Sequence, residues 1–161
     1  MCGRGGWFMI FLVERVRAAA VRCGSETLGA IGPGLLVQVG FVREDTDALV
    51  GEGARRLLTL RVFPDRSGRL ACACAESAAE ILLVPAFVLT AEAAASGRLD
   101  FGAAAPPARA RELFERLCER LKHLHSGRVA SGRFGAAMRI AAEHDGPVPF
   151  VCRLTATTTQ E

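Results

Sequence analysis

Few residues in this chain have the chemistry for acid–base or nucleophilic work. There are three histidines, His123, His125 and His144. His123 and His125 stand two apart near a helix end, so they do not share a face, and both read as surface residues. His144 precedes Asp145-Gly146-Pro147, a turn sequence. The cysteines are Cys2, Cys23, Cys72, Cys74, Cys118 and Cys152. Cys72-x-Cys74 lacks the two-residue gap of a zinc knuckle. On a strand its two thiols would face one way, but no paired Cys/His set completes four ligands. No secretory signal accompanies the cysteines, so they read as buried free thiols of a cytoplasmic protein. No serine sits in a nucleophile elbow, and no glycine-rich phosphate loop is present. Side-chain nucleophilic catalysis therefore has no motif here, and neither a metal nor a cofactor is expected. Gly32-Pro33-Gly34 and Gly146-Pro147 mark tight turns. A Gly-Pro bond can be cis, which reorients the flanking carbonyls.

These residues need a scaffold, and composition bounds it. The chain has 161 residues, half of them hydrophobic and 23% charged. That length suits one domain with a real core and excludes a disordered or collagen-like chain. No apolar run approaches the roughly 20 residues of a membrane span. The run from Trp7 to Val13 ends at Glu14-Arg15 without a small-residue cleavage site, which argues against a signal peptide. Net charge is +3, and 19 of the 20 basic residues are Arg, Lys122 being the exception. Clustered arginines would suit phosphate, which they contact bidentately. Alanine is abundant at 27 residues.

Hydrophobic patterning predicts the elements. Phe8 to Val21 reads as a first strand and Leu35 to Phe41 as a buried one. Gly24-Ser25-Glu26 and Ala30 to Gly34 read as turns. Glu44 to Asp47 offers N-cap chemistry for a helix marked by Leu49, Gly53, Leu57 and Leu60. Arg61 to Phe63 returns as a strand and stops at the turn Pro64 to Gly68. Ile81 to Val84 is another buried strand. Ala91 to Ala110 reads as a long loop. Ala110, Phe114, Leu117, Leu121 and Leu124 mark the apolar stripe of a second helix, with Arg and Glu alternating on its solvated face. Val129 to Ile140 and Val148 to Leu154 close the chain as strands, and Thr155 to Glu161 as a tail. The order argues one compact mixed α/β domain.

The segments Met9–Val16, Gly29–Val37, Leu60–Phe63, Glu80–Leu89, Ser131–Met138 and His144–Phe150, in that order, resemble those of the D-aminoacyl-tRNA deacylase (D-tyrosyl-tRNA deacylase) family. Met9-Ile-Phe-Leu-Val-Glu-Arg-Val16 is similar to the family's opening strand, which usually ends Gln-Arg-Val. Gly29-Ala-Ile-Gly-Pro-Gly-Leu-Leu-Val37 is close to its second-strand motif, and Leu60-Arg-Val-Phe63 to Leu-Arg-Ile-Phe. Glu80 to Leu89 sits where the family has a strand followed by Ser-Gln-x-x-Leu. Ser131-Gly-Arg-Phe-Gly-Ala-Ala-Met138 resembles Thr-Gly-Arg-Phe-Gly-Ala-Asp-Met. His144-Asp-Gly-Pro-Val-Pro-Phe150 sits at Asn-x-Gly-Pro-Val-Thr. The resemblance spans residues 9–154, leaving 1–8 as an extension and 155–161 as a tail.

The resemblance implies a three-layer α/β fold of mixed sheets and two helices. It implies hydrolysis of the ester in D-aminoacyl-tRNA and in mischarged glycyl-tRNA, by a cytoplasmic homodimer. The implied partners are aminoacyl-tRNA and a second copy, with neither membrane nor DNA. Gly146-Pro147, with a cis bond and inserted from the partner subunit, would screen stereochemistry by its main chain. Such a screen rejects L side chains sterically. Backbone N–H groups of Phe87 and Val88, on the strand after Pro85-Ala86, would hold the ester oxyanion. Pro85 and Ala86 would line the substrate pocket. The substrate's own terminal 2′-hydroxyl would assist the attack. Arginines would help hold the acceptor stem through phosphates.

The sequence departs from the family where polar groups are usual. Pro85-Ala86 replaces Ser-Gln, Val88 replaces Thr, and His144 and Pro149 replace Asn and Thr. Ala18, Ala71 and Ala137 replace Arg, Asn and Asp. Two readings follow. Catalysis resting on backbone groups and the substrate hydroxyl would survive these changes. Otherwise the chain is a weakened or inactive paralogue, a dimer that binds tRNA or protein.

Overall fold

The computed structural model describes residues 7–155. Its spine is β1 (Trp7–Cys23), whose Phe-, Ile- and Val-rich first half favours an extended chain. β1 is long enough to serve different neighbours along one edge. Residues Ile10–Val16 pair antiparallel with β3 (Gly34–Gly40), while Ala19–Cys23 pair with β2 (Glu26–Ile31). Along its other edge runs β10 (Arg139–Thr155), with register shifts at Glu14/Val16 and Val16/Ala18. Such irregularities bend a strand. β3 is followed by parallel β6 (Glu80–Pro85) and β9 (Val129–Ser131), giving the order β10-β1-β3-β6-β9. The sheet curls into a near-barrel. β2 meets β9 closely enough that a Cβ on Gly29 would stand 3.0 Å from the Ser131 carbonyl oxygen.

Two helices cover one face of this sheet. α1 (Asp47–Thr59) starts at Thr46, whose hydroxyl accepts from Leu49 N–H at 3.4 Å. The predicted Gly53 lies where α1 approaches β1: a Cβ there would meet Phe11, Leu154 and Met9 at 3.1–3.2 Å. α2 (Pro107–Leu124) opens on Pro107, which suits a first turn that needs no N–H there. Leu113, Phe114, Leu117 and Leu121 bury against Met9, Phe11, Val37 and Leu83. Each such side chain contributes about 1.5–3 kcal/mol. The other sheet face encloses a smaller core of Val16, Val21, Ile31, Leu36, Leu82 and Val84. Alternation along β3 and β6 divides their side chains between the two cores, as strand geometry requires. Three short antiparallel strands and a fourth complete the fold: β4 (Arg61–Pro64) with β5 (Leu70–Ala73), and β7 (Glu92–Ala93) with β8 (Leu99–Asp100).

The mixed α/β class and both helices match expectation. Several local readings are corrected. The span between two predicted turns holds β2, hidden by the glycines that flank it. Residues 129–140 are not one strand: β9 ends at Ser131 and a turn leads to β10. The expected turn at His144–Pro147 is an irregular stretch inside β10, because β1 offers a partner on both sides of it. The loop 91–110 contains a small hairpin and the start of α2. Leu124 is exposed; the register of α2 places Leu113 in the core instead. Trp7 opens β1 and Thr155 ends β10, while residues 1–6 and 156–161 lie outside the described residues.

Candidate active site

Pro85 ends β6 opposite Val39 on β3. The next residue, Ala86, donates its N–H to the Val39 carbonyl at 2.8 Å, and the sheet stops there. The chain then tightens into a single 3-10 turn, Phe87–Thr90, rather than continuing as a strand. Leu89 N–H returns to the Ala86 carbonyl at 3.1 Å, and Thr90 Oγ1 donates to the Phe87 carbonyl at 2.8 Å. The first N–H groups of a helical turn have no acceptor within it. Here those are Phe87 and Val88, both at least half exposed. The Phe87 ring is braced by Phe101, with centroids 5.3 Å apart. Two adjacent N–H groups without an acceptor in their turn, on a turn anchored to the sheet, can receive an oxyanion.

The second half of the expected site lies on β10. The Gly146–Pro147 bond is cis, and Gly146 has φ +125°, a conformation that favours glycine. A Cβ there would meet Val148 Cγ2 at 2.7 Å and Arg15 Nη2 at 3.2 Å. Arg15, buried in β1, holds this stretch. Its Nε donates to the Asp145 carbonyl at 3.1 Å and lies 3.2 Å from Asp145 Oδ2, and its Nη1 donates to the Val62 carbonyl at 2.7 Å. Arg17 adds a second, exposed contact to Asp145 at 3.5 Å. Arg15 is the residue whose role sequence reasoning missed. Its signal was an arginine in the middle of an apolar strand, where a charge must find partners.

The structure does not bring these halves together within one chain. β1 and β3 separate β10 from β6. Three inter-strand steps amount to roughly 14 Å. His144 stays at the β10 side, with Nδ1 3.8 Å from Glu14 Oε1, too long for a hydrogen bond.

The other titratable candidates sit elsewhere. His125 is not a surface residue: it is buried, with Nε2 2.6 Å from the Ala79 carbonyl. That contact requires the Nε2–H tautomer. The helix ends at Leu124, so the chain turns inward at the next residue. Cys74 and Cys118 are buried, and burial pushes both thiols up to about 11. They are protonated at neutral pH and are poor nucleophiles. Asp45 is buried, its Oδ1 and Oδ2 accepting from Met9 N–H at 2.9 Å and Val42 N–H at 2.8 Å. Burial raises its pKa to about 6. Among the described residues no helix is long and apolar enough to cross a membrane.

A family profile described as D-Tyr-tRNA(Tyr) deacylase matches residues 12–153. A D-aminoacyl-tRNA deacylase of Xanthomonas axonopodis pv. citri is 40% identical over 145 residues, covering 90% of this chain and 99% of that one. One from Azotobacter vinelandii is 43% identical over 140 residues, covering 87% and 96%. Among solved structures, a c-Myc DNA unwinding element binding protein superposes with TM-score 0.84 at 33% identity, covering 91% of this chain and 99% of that one. A probable eukaryotic D-amino acid tRNA deacylase has TM-score 0.81 at 15% identity, over the same shares, and attests the fold. A profile over nearly the whole chain and full-length relatives near 40% identity establish that this chain is a member of the D-aminoacyl-tRNA deacylase family.

Proposed function

We propose that the protein hydrolyses the ester of D-aminoacyl-tRNA, and of mischarged glycyl-tRNA, releasing tRNA and free amino acid in the cytoplasm. The observation that carries this reading is that Phe87 and Val88, both at least half exposed, open a 3-10 turn whose first N–H groups have no acceptor within it. As water adds to the ester carbonyl, its oxygen becomes an oxyanion that these two N–H groups stabilise. The ester C–O bond then breaks, and the ribose oxygen leaves with a proton. The substrate's 2′-hydroxyl assists the attack, which suits a turn without a titratable side chain. Backbone donors do not depend on side-chain identity, so Pro85, Ala86 and Val88 in place of polar residues leave them intact. Pro85 lacks an N–H but precedes both donors.

Gly146 and Pro147 screen the substrate from the partner subunit of a homodimer. The strand separation within one chain supports this, since one copy alone leaves β1 and β3 between the two halves. So does β10, a largely exposed 17-residue edge strand, which sheets ordinarily cover or pair. The absence of polar side chains at Ala86 and Ala137 favours a second reading, a dimer that binds tRNA or protein without turnover. Incubation with D-aminoacyl-, L-aminoacyl- and glycyl-tRNA separates the two. Release from the D- and glycyl-esters but not the L-ester is expected. No release above a blank from any of the three overturns the enzyme reading.

A further inference from the structure

One face of the β1–β10 ribbon carries an unbalanced row of charge. Arg22 on β1 and Arg139 on β10 are direct antiparallel partners. Side chains at such positions share a face, with Cβ atoms about 4.5–5.5 Å apart. Both are exposed, and neither forms an ion pair among the described residues. Thr27 on β2 continues the row on the far side of Arg22. The next row on this face is Ala30, Ala20 and Ala141, a flat floor without an acid. The nearest acid along β10 on the same face is Glu143, four residues from Arg139. That is roughly 13 Å.

Like charges placed directly opposite each other weaken a strand pair. No acid among the described residues pairs with either of them. Arg133 nearby makes the contrast, since Glu26 neutralises it at 2.8 Å. The chain leading into Arg139 passes the candidate site in the turn between β9 and β10. A Cβ on Gly132 would lie 3.6 Å from Pro85, and Arg133 N–H donates to Met138 Sδ at 3.4 Å. Arg139 follows directly. A polyanion that reaches this face finds two unpaired guanidinium groups side by side. Guanidinium matches phosphate geometry bidentately.

We propose that Arg22 and Arg139 bind backbone phosphates of the tRNA acceptor strand. This rests on the proposed function, whose substrate supplies those phosphates. The test compares D-tyrosyl-tRNA with D-tyrosyl-adenosine, which has the ester and terminal nucleoside but no phosphate. In the Arg22→Ala/Arg139→Ala double variant, KM for the tRNA should rise about tenfold at physiological salt. The slope of log affinity against log salt should shrink by about 1.5, near 0.7–0.9 per lost phosphate contact. Both kcat and turnover of the adenosine ester should hold. Arg22→Lys/Arg139→Lys should keep most of the slope, and Arg133→Ala should change it little. An unchanged KM and slope in the double alanine variant overturns the proposal. So does a shift from dimer to monomer with an unchanged slope, which would assign the face to a subunit contact. If the wild type hydrolyses neither ester, the function reading fails, and filter binding of uncharged tRNA decides this one. Weaker, less salt-sensitive binding by the double variant then supports the surface, and equal binding overturns it.

Discussion

Arg15 Nε donates to the main-chain carbonyl of Asp145 at 3.1 Å while Arg15 Nη1 reaches the Val62 carbonyl at 2.7 Å. One buried side chain thus ties the residue before Gly146-Pro147 to the core strand and to β4. Arg15→Met keeps the apolar stem and leaves both carbonyls without their donor. Unsatisfied buried acceptors cost about 1–3 kcal/mol each, so urea unfolding should show a loss of about 2–4 kcal/mol. Under conditions where the variant is fully folded, kcat/KM should still fall at least about tenfold, as the 145–147 segment loses its anchor. Full activity in the folded variant would show that Arg15 only stabilises.

Gly146 tests the same segment from its own side. With φ +125° and Val148 Cγ2 2.7 Å from the Cβ position, Gly146→Ala is strained in two ways. A destabilisation of about 1–3 kcal/mol is expected. Activity should fall further than the folded fraction does, because the Arg15 guanidinium also borders the added methyl at 3.2 Å. Circular dichroism for the folded fraction and deacylation rates together read this.

The oxyanion role of the 3-10 turn predicts a difference between two substitutions at one position. Phe87→Ala keeps the N–H, whereas Phe87→Pro removes it at a first helical position that tolerates proline. The proline variant should be about 10²–10³-fold slower in kcat than the alanine variant. Equal rates for the two would exclude the Phe87 N–H from the reaction. Pro85→Ser/Ala86→Gln should change kcat/KM by less than about tenfold if backbone donors dominate.

Asp45 sets a pH dependence of stability. Folding raises its pKa from 3.8 to about 6, chiefly by burial, against the two N–H groups that lower it. The folded state therefore holds a proton that the unfolded state has released. This contribution is complete below pH 3.8 and is lost as pH rises through 6. Its ceiling is about 2–3 kcal/mol. The difference in unfolding free energy between wild type and Asp45→Asn should vary between pH 5 and 7.5 by a large part of that. A constant difference would mean that Asp45 does not titrate there. Glu76 and Glu112 are held below the ordinary 4.5 and act outside this window.

Local pattern made much of the molecule legible. Leu35–Phe41 and Ile81–Val84 read as buried strands because β3 and β6 are covered on both faces, which writes continuous apolar runs. The two helices read from their stripes and from Thr46 and Pro107. The ordered motifs named the family. Three things were not legible. β2 is bordered by glycines that serve turns and a close approach to β9, so it read as turns. His125 and Leu124 exchanged their expected burial because α2 ends at Leu124 and the chain turns inward at the next residue. Arg15 carried no role because its partners, Val62 and Asp145, are 47 and 130 residues away.

By itself the sequence determined the fold class, the two helices and the family, and it supplied the residues proposed for the site. These rest on local periodicity and contiguous motifs, which a chain carries without being folded. Tertiary structure decided what long-range pairing controls. It placed β10 along both halves of β1, turned an expected turn into an irregular strand, and gave Arg15 its carbonyl partners. It set Arg22 opposite Arg139, a pairing of residues 117 apart that only strand register creates. It also kept the Phe87 turn, which follows β6, apart from Gly146 on β10, with β1 and β3 between them.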